Sequence, residues 1–139
     1  MLSTAIVDSG PLIAVANSAD PAYRACLEAL QTPGLRLVIP ALCVAEVAYL
    51  LGARRGPAIE ARFVRGLAGF DVEAPHAEDW VRIAELVERY ADLPLGAADA
   101  SVAALAERHR TDLVLTLDRR HFSVIQPRHC PRFRLLPEG

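Results

Sequence analysis

Ala5-Ile6-Val7-Asp8-Ser9-Gly10-Pro11 and Leu113-Val114-Leu115-Thr116-Leu117-Asp118 read alike, as short apolar runs that end on a carboxylate. An apolar run of this length, bounded by turn residues, fits a strand buried on both faces, as in a parallel sheet covered by helices. In open parallel sheets, ligands bind outside the carboxyl ends of the strands. Asp8 and Asp118 stand there. Two further acids have apolar surroundings: Glu46, the sole charged residue between Leu37 and Ala53, and Asp99, which follows Leu95-Gly96-Ala97-Ala98. Buried carboxylates are costly unless paired or bound to a cation, and gathering several adds mutual repulsion. A divalent metal reconciles the pattern, so the chain reads as a metal-dependent enzyme.

Outward from these runs, strands alternate with helices. Apolar spacing predicts strands over 2–7, 35–39, 70–72, 113–117 and 133–136. Helices are predicted over 11–17, from Asp20 to the Pro33-Gly34 break, and over 41–55, 57–68, 75–90 and 97–110. In 75–90 the inner face is read as Trp80, Ile83, Ala84, Val87 and Tyr90, and in 97–110 Val102, Leu105 and Ala106 face the sheet. Arg119-Arg120 reads as a turn. The expectation is an α/β sandwich with a central parallel β-sheet flanked by helices, in one domain over residues 1–139.

Each acid also has a purely structural reading. Asp8 can cap a helix, Asp99 can favour a helix N-terminus, Asp118 can start a turn, and Glu46 can be one polar position on a helix. All four would have to hold together, two of them at one sheet edge.

Composition narrows the rest. Hydrophobic residues make up 53% of the chain and aromatics 6%, so the core is aliphatic. Cys26, Cys43 and Cys130 are far apart and form no paired motif, which predicts reduced thiols rather than a zinc site. No leader and no membrane-length apolar stretch is evident, so a cytoplasmic protein without membrane contact is expected. All fifteen basic residues are arginine. Residues 119–139 hold five arginines against one glutamate, a balance suited to a polyanion beside a metal and equally to a solvated tail. No glycine-rich phosphate loop occurs. His76, His109, His121 and His129 are scattered and read as surface residues.

The acids in their local contexts resemble the PIN-domain ribonucleases, and closely the VapC toxins of bacterial toxin–antitoxin modules. The stretches concerned are Ile6-Val7-Asp8-Ser9-Gly10-Pro11-Leu12-Ile13, Val44-Ala45-Glu46-Val47, Leu95-Gly96-Ala97-Ala98-Asp99-Ala100-Ser101-Val102 and Leu115-Thr116-Leu117-Asp118-Arg119-Arg120-His121-Phe122. The resemblance implies a PIN-like sandwich with Mg²⁺ or Mn²⁺ held by Asp8, Glu46, Asp99 and Asp118, and with Ser9 and Thr116 near the metal site. It also implies a homodimer, an RNA substrate such as tRNA or rRNA, and a cognate VapB-type antitoxin.

The expected chemistry is hydrolysis of RNA phosphodiester bonds. Asp8 and Asp99 are read as direct ligands with Asp118 beside them. Glu46 acts through water or as a proton acceptor, and the residues do not separate these roles. Arg119 and Arg120 are candidates for backbone phosphates. The rival is a catalytically inactive PIN-like module that binds RNA or a partner. A receiver-like module lacks the late lysine it requires, and a phosphatase built on Asp8 meets Gly10 where it wants a second aspartate.

Overall fold

Five strands form one parallel sheet in the computed structural model, which describes residues 2–139. They are β1 (Ser3–Val7), β2 (Leu35–Pro40), β3 (Asp71–Glu73), β4 (Leu113–Leu115) and β5 (Arg134–Leu136), in the order β3-β2-β1-β4-β5. Seven helices flank them: α1 (Ser9–Val15), α2 (Tyr23–Leu30), α3 (Ala41–Arg55), α4 (Pro57–Gly66), α5 (Ala77–Arg89), α6 (Ala97–Arg108) and α7 (Arg119–Val124). The expected α/β sandwich with a central parallel sheet is the fold found.

Strand periodicity splits the core in two. Ile6, Val38 and Val114 pack with Ile83 and Leu86 of α5, the middle of α6 and Phe122 of α7. Ala5, Val7, Ile39, Leu113 and Leu115 pack on the other side with Leu12, Ala29, Val47 and Leu51. Both faces are covered, which is why Ala5–Val7 of β1 and all of β4 are apolar. Helix α6 is buried at every position from Ala100 to Ala106. Four of those seven residues are alanine, so the helix can lie close to its neighbours on all sides.

The strand order reverses between β1 and β4. The chain steps outward from β1 through β2 to β3, then returns by α5 and α6 to place β4 on the other side of β1. Such a reversal opens a crevice at the carboxyl ends of the two central strands. Asp8 and Asp118 follow those strands.

Several boundaries and one helix face depart from the sequence reading. Trp80 is 50% exposed and Ala84 also points outward. The inner face of α5 is Asp79, Ile83 and Leu86. Asp79 turns inward because its carboxylate accepts from Arg108 Nε at 2.8 Å and from the His76 amide at 2.8 Å. That carries position 80, about 100° further round, toward solvent. Arg82 of α5 grips Glu107 of α6 through two parallel bonds of 2.8 and 2.9 Å, the strong bidentate geometry. The stretch 119–120 is the first turn of α7, not an isolated turn. β4 ends at Leu115, although the Thr116 amide still bonds Leu136 O at 2.8 Å.

Phe122 anchors α7. It is buried and meets Phe133 edge-on, with ring centroids 6.2 Å apart. Phe122→Ala is expected to destabilise the fold by about 3–5 kcal/mol in urea unfolding. A loss well under about 1 kcal/mol would mean that α7 does not depend on this contact.

Candidate functional site at the sheet switch point

Asp8 leaves β1 with its amide bonded to Leu115 O at 2.8 Å, so the ladder itself sets it opposite the end of β4. It precedes α1 in the N-cap position, yet its side chain caps nothing. Instead Oδ2 accepts from the Thr116 hydroxyl at 2.7 Å. That hydroxyl in turn accepts from the Asp118 amide at 2.9 Å. Thr116, buried, therefore spends its one proton on Asp8 and a lone pair on Asp118, fixing the two acids relative to each other. Cys43 of α3 lies behind Asp8, its Sγ 4.0 Å from Oδ1.

Asp118 caps α7 with its own carboxylate, Oδ1 accepting from the His121 amide at 3.0 Å. Asp99 projects from the first turn of α6. His121 stands between them, Nδ1 being 2.6 Å from Asp118 Oδ2 and 3.4 Å from Asp99 Oδ2. Glu46 is exposed on α3, and its charge acts on both Asp8 and Asp99. All four expected acids are thus brought within electrostatic reach at one end of the sheet.

Burial separates them. Asp8 is removed from water, and chiefly for that reason its carboxyl is raised from 3.8 to about 6, with Asp99 and Glu46 adding to the rise and Thr116 opposing it. Asp99 is raised too, first by burial, then by the charges of Asp118 and Glu46, against the pull of His121. The side chains of Asp99 and Asp118 keep 25% and 35% of their exposure. The premise of four buried acids therefore holds for Asp8 alone; Asp99 and Asp118 are half-buried and Glu46 is exposed.

His121 is the residue the sequence reading missed as a site member. The sequence places it among four scattered surface histidines, yet its ring stands between Asp99 and Asp118. The available cue was its spacing: three residues after a capping aspartate, a helical residue returns to the cap's side. The remaining expected residues fall as follows. Ser9 is buried beside Asp8, and its Oγ has no partner among the described residues. Arg119 and Arg120 are exposed on α7, Arg119 donating to the Pro137 carbonyl.

Two unpartnered buried polar atoms, Ser9 Oγ and His121 Nδ1, border a set of carboxylate oxygens. One oxygen each from Asp99 and Asp118 and one His121 nitrogen lie within 4.8 Å of one another. Hard oxygen donors with room left open suit a divalent cation such as Mg²⁺ or Mn²⁺. The residues fit such an ion.

The PIN domain family profile matches residues 5–126. The chain is 37% identical to Ribonuclease VapC26 of Mycobacterium tuberculosis over 134 residues, covering 95% of this chain and 99% of that protein. Among solved structures, it is similar to VapC20 of M. tuberculosis, described as a sarcin–ricin loop cleaving toxin, at TM-score 0.72 and 17% identity, over 79% of this chain and 86% of that one. It is also similar to a chain of a toxin–antitoxin complex from Klebsiella pneumoniae, at TM-score 0.68 and 23% identity, over 87% and 92%. A third match is a chain of VapBC2 from Rickettsia felis, solved bound to a promoter DNA fragment, at TM-score 0.69 and 17% identity, over 96% and 97%. By profile, by identity across nearly its whole length and by fold, this chain belongs to the PIN-domain family and is a relative of the VapC ribonucleases.

Proposed function

We propose that this protein is a metal-dependent endoribonuclease, the toxin of a toxin–antitoxin pair, built as one PIN-like unit over residues 1–139. The observation that carries the reading is the gathering of Asp8, Asp99 and Asp118, with Glu46 in electrostatic reach, at the strand-order reversal. The 37% identity to Ribonuclease VapC26 supports the substrate class.

Asp8, Asp99 and Asp118 would hold Mg²⁺ or Mn²⁺, which would supply Lewis acidity when bound. Thr116 orients the Asp8 carboxylate, and the Ser9 hydroxyl offers a hydrogen bond inside the site. Glu46, the most exposed of the acids, is assigned as acceptor of the proton released when water attacks the phosphodiester. Arg119 and Arg120 hold RNA backbone phosphates, contributing affinity without sequence information.

The RNA is tRNA or rRNA, the working form is a homodimer in the cytoplasm, and a VapB-type antitoxin silences it. No helix among the described residues is long and apolar enough to cross a membrane. A groove of about 380 Å³ between α1, α2 and α4, lined by Leu12, Val15, Ile59 and Phe63 and with exposed Arg55 and Arg62 on its walls, is assigned to an acidic amphipathic segment of that antitoxin.

Purified protein freed of antitoxin should cut bacterial RNA into discrete fragments with Mg²⁺ or Mn²⁺, and both EDTA and Asp8→Asn should abolish the cut. A folded, metal-loaded protein that leaves RNA intact would favour the inactive binding module instead.

Asp8 should also leave a mark on stability. Its carboxyl is raised, so the folded chain keeps a proton that the unfolded chain releases above pH 4. The metal-free protein therefore loses stability as pH rises from about 4 to about 6, and Asp8→Asn escapes that loss. In EDTA at pH 8 the variant should be more stable than wild type by about 1–3 kcal/mol in urea unfolding. Added Mg²⁺ should raise the wild-type Tm and leave the variant's nearly unchanged.

Replacing Arg119 and Arg120 with alanine in the Asp8→Asn background should weaken RNA binding. The slope of log K against log salt should fall by about 0.7 for each lost phosphate contact. An unchanged slope would remove both arginines from the interface.

A further inference from the structure

His121 reaches the cleft with its ring held from behind. Its Nε2 lies 2.8 Å from the carbonyl oxygen of Leu93, in the loop between α5 and α6. A carbonyl only accepts, so Nε2 carries the proton. The other nitrogen, Nδ1, is buried, and its short approach to Asp118 Oδ2 lacks hydrogen-bond alignment. A ring nitrogen that faces one oxygen each from Asp99 and Asp118 leaves three donors for a cation turned toward one another. Metal-binding histidines typically donate their second ring N–H to a carbonyl or carboxylate, which fixes the tautomer and the ring plane. Leu93 O provides that support here.

The other histidines do not share this arrangement. His109 Nε2 is engaged with Glu73 at 2.8 Å, His129 Nε2 with Thr111 O at 2.7 Å, and His76 is exposed at the start of α5. Of the four, His121 alone joins a convergent donor set among the described residues.

We infer that His121 Nδ1 is a direct metal ligand beside Asp99 and Asp118, and that this nitrogen donor biases the site toward Mn²⁺ over Mg²⁺. The inference rests on the metal-dependent reading above and adds to it a ligand and a selectivity. Imidazole nitrogen suits transition-metal ions, whereas Mg²⁺ prefers carboxylate, carbonyl and water oxygens. An all-carboxylate cleft would have no such bias.

The test is electron spin-echo spectroscopy on untagged, full-length protein loaded with Mn²⁺ in a buffer free of imidazole. Wild type should show nitrogen-14 modulation, replaced by the nitrogen-15 pattern when histidine is isotopically labelled. His121→Ala should lose the modulation. Its Mn²⁺ Kd by calorimetry should rise about tenfold or more, and its Mg²⁺ Kd should rise less. His121→Gln, which keeps a polar group of similar reach, should behave the same way and serves if the alanine variant does not fold. Bound Mn²⁺ without nitrogen modulation in wild type would overturn the ligand assignment and leave the metal-dependent reading standing. Modulation that persists in a folded His121 variant would overturn it equally. Folded wild type that binds no Mn²⁺ would overturn both.

Discussion

The hydroxyl of Thr116 is the joint on which the site turns. Burial of a carboxylate in the seam between β1 and β4 is unfavourable, and the rise of the Asp8 carboxyl to about 6 measures how far the surroundings resist its charge. Thr116 answers with a short hydrogen bond to Asp8 and, through the same oxygen, takes the Asp118 amide. The second bond fixes where the chain leaves β4 and therefore where α7 starts. Because α7 is capped by Asp118, it delivers His121 to the cleft and Phe122 to the core within one turn. A polar contact between two strand ends thereby fixes a carboxylate, a cap, a helix and a ring.

The layers explain why this can be rigid. Helix α6 supplies Asp99 from its first turn, and the seven residues that follow it are all buried. Asp99 thus projects from one of the best-packed elements of the fold, while Glu46 and Asp118 sit where water still reaches. The resulting gradient runs from a desolvated acid at the back to an exposed one at the front, and burial raises the carboxyls of Asp8 and Asp99. The Arg82–Glu107 and Arg108–Asp79 pairs tie α5 to α6, and with it hold the loop whose Leu93 carbonyl backs His121.

Much of this was legible in the chain. Ala5–Val7 of β1 and all of β4 are apolar because both faces of the sheet are covered there, and that single property announces a parallel sheet. Acids placed directly after such runs identify the end of the sheet where chemistry occurs. What escaped notice has a physical reason in each case. Helical spacing with Ile83, Ala84 and Val87 puts Trp80 on the inner face of α5, whereas an ion pair with Arg108 turns Asp79 inward and rotates Trp80 out. The six-residue α7 is too short to display a helical period, so His121 looked unplaced. Glu46 reads as facing either the core or a cleft, and it lies exposed on α3 while Val44 and Val47 of the same helix pack inward.

Asp8 and Thr116 stand 108 positions apart in the chain, and their bond closes the site. During synthesis the first strand leaves the ribosome long before its partner exists. Contacts of such wide separation form late, once the intervening chain has collapsed around them. A growing polypeptide therefore carries Asp8, Glu46 and even Asp99 out of the ribosome before Thr116 and Asp118 exist to join them. The acids at the strand-order reversal come together only when β4 docks against β1.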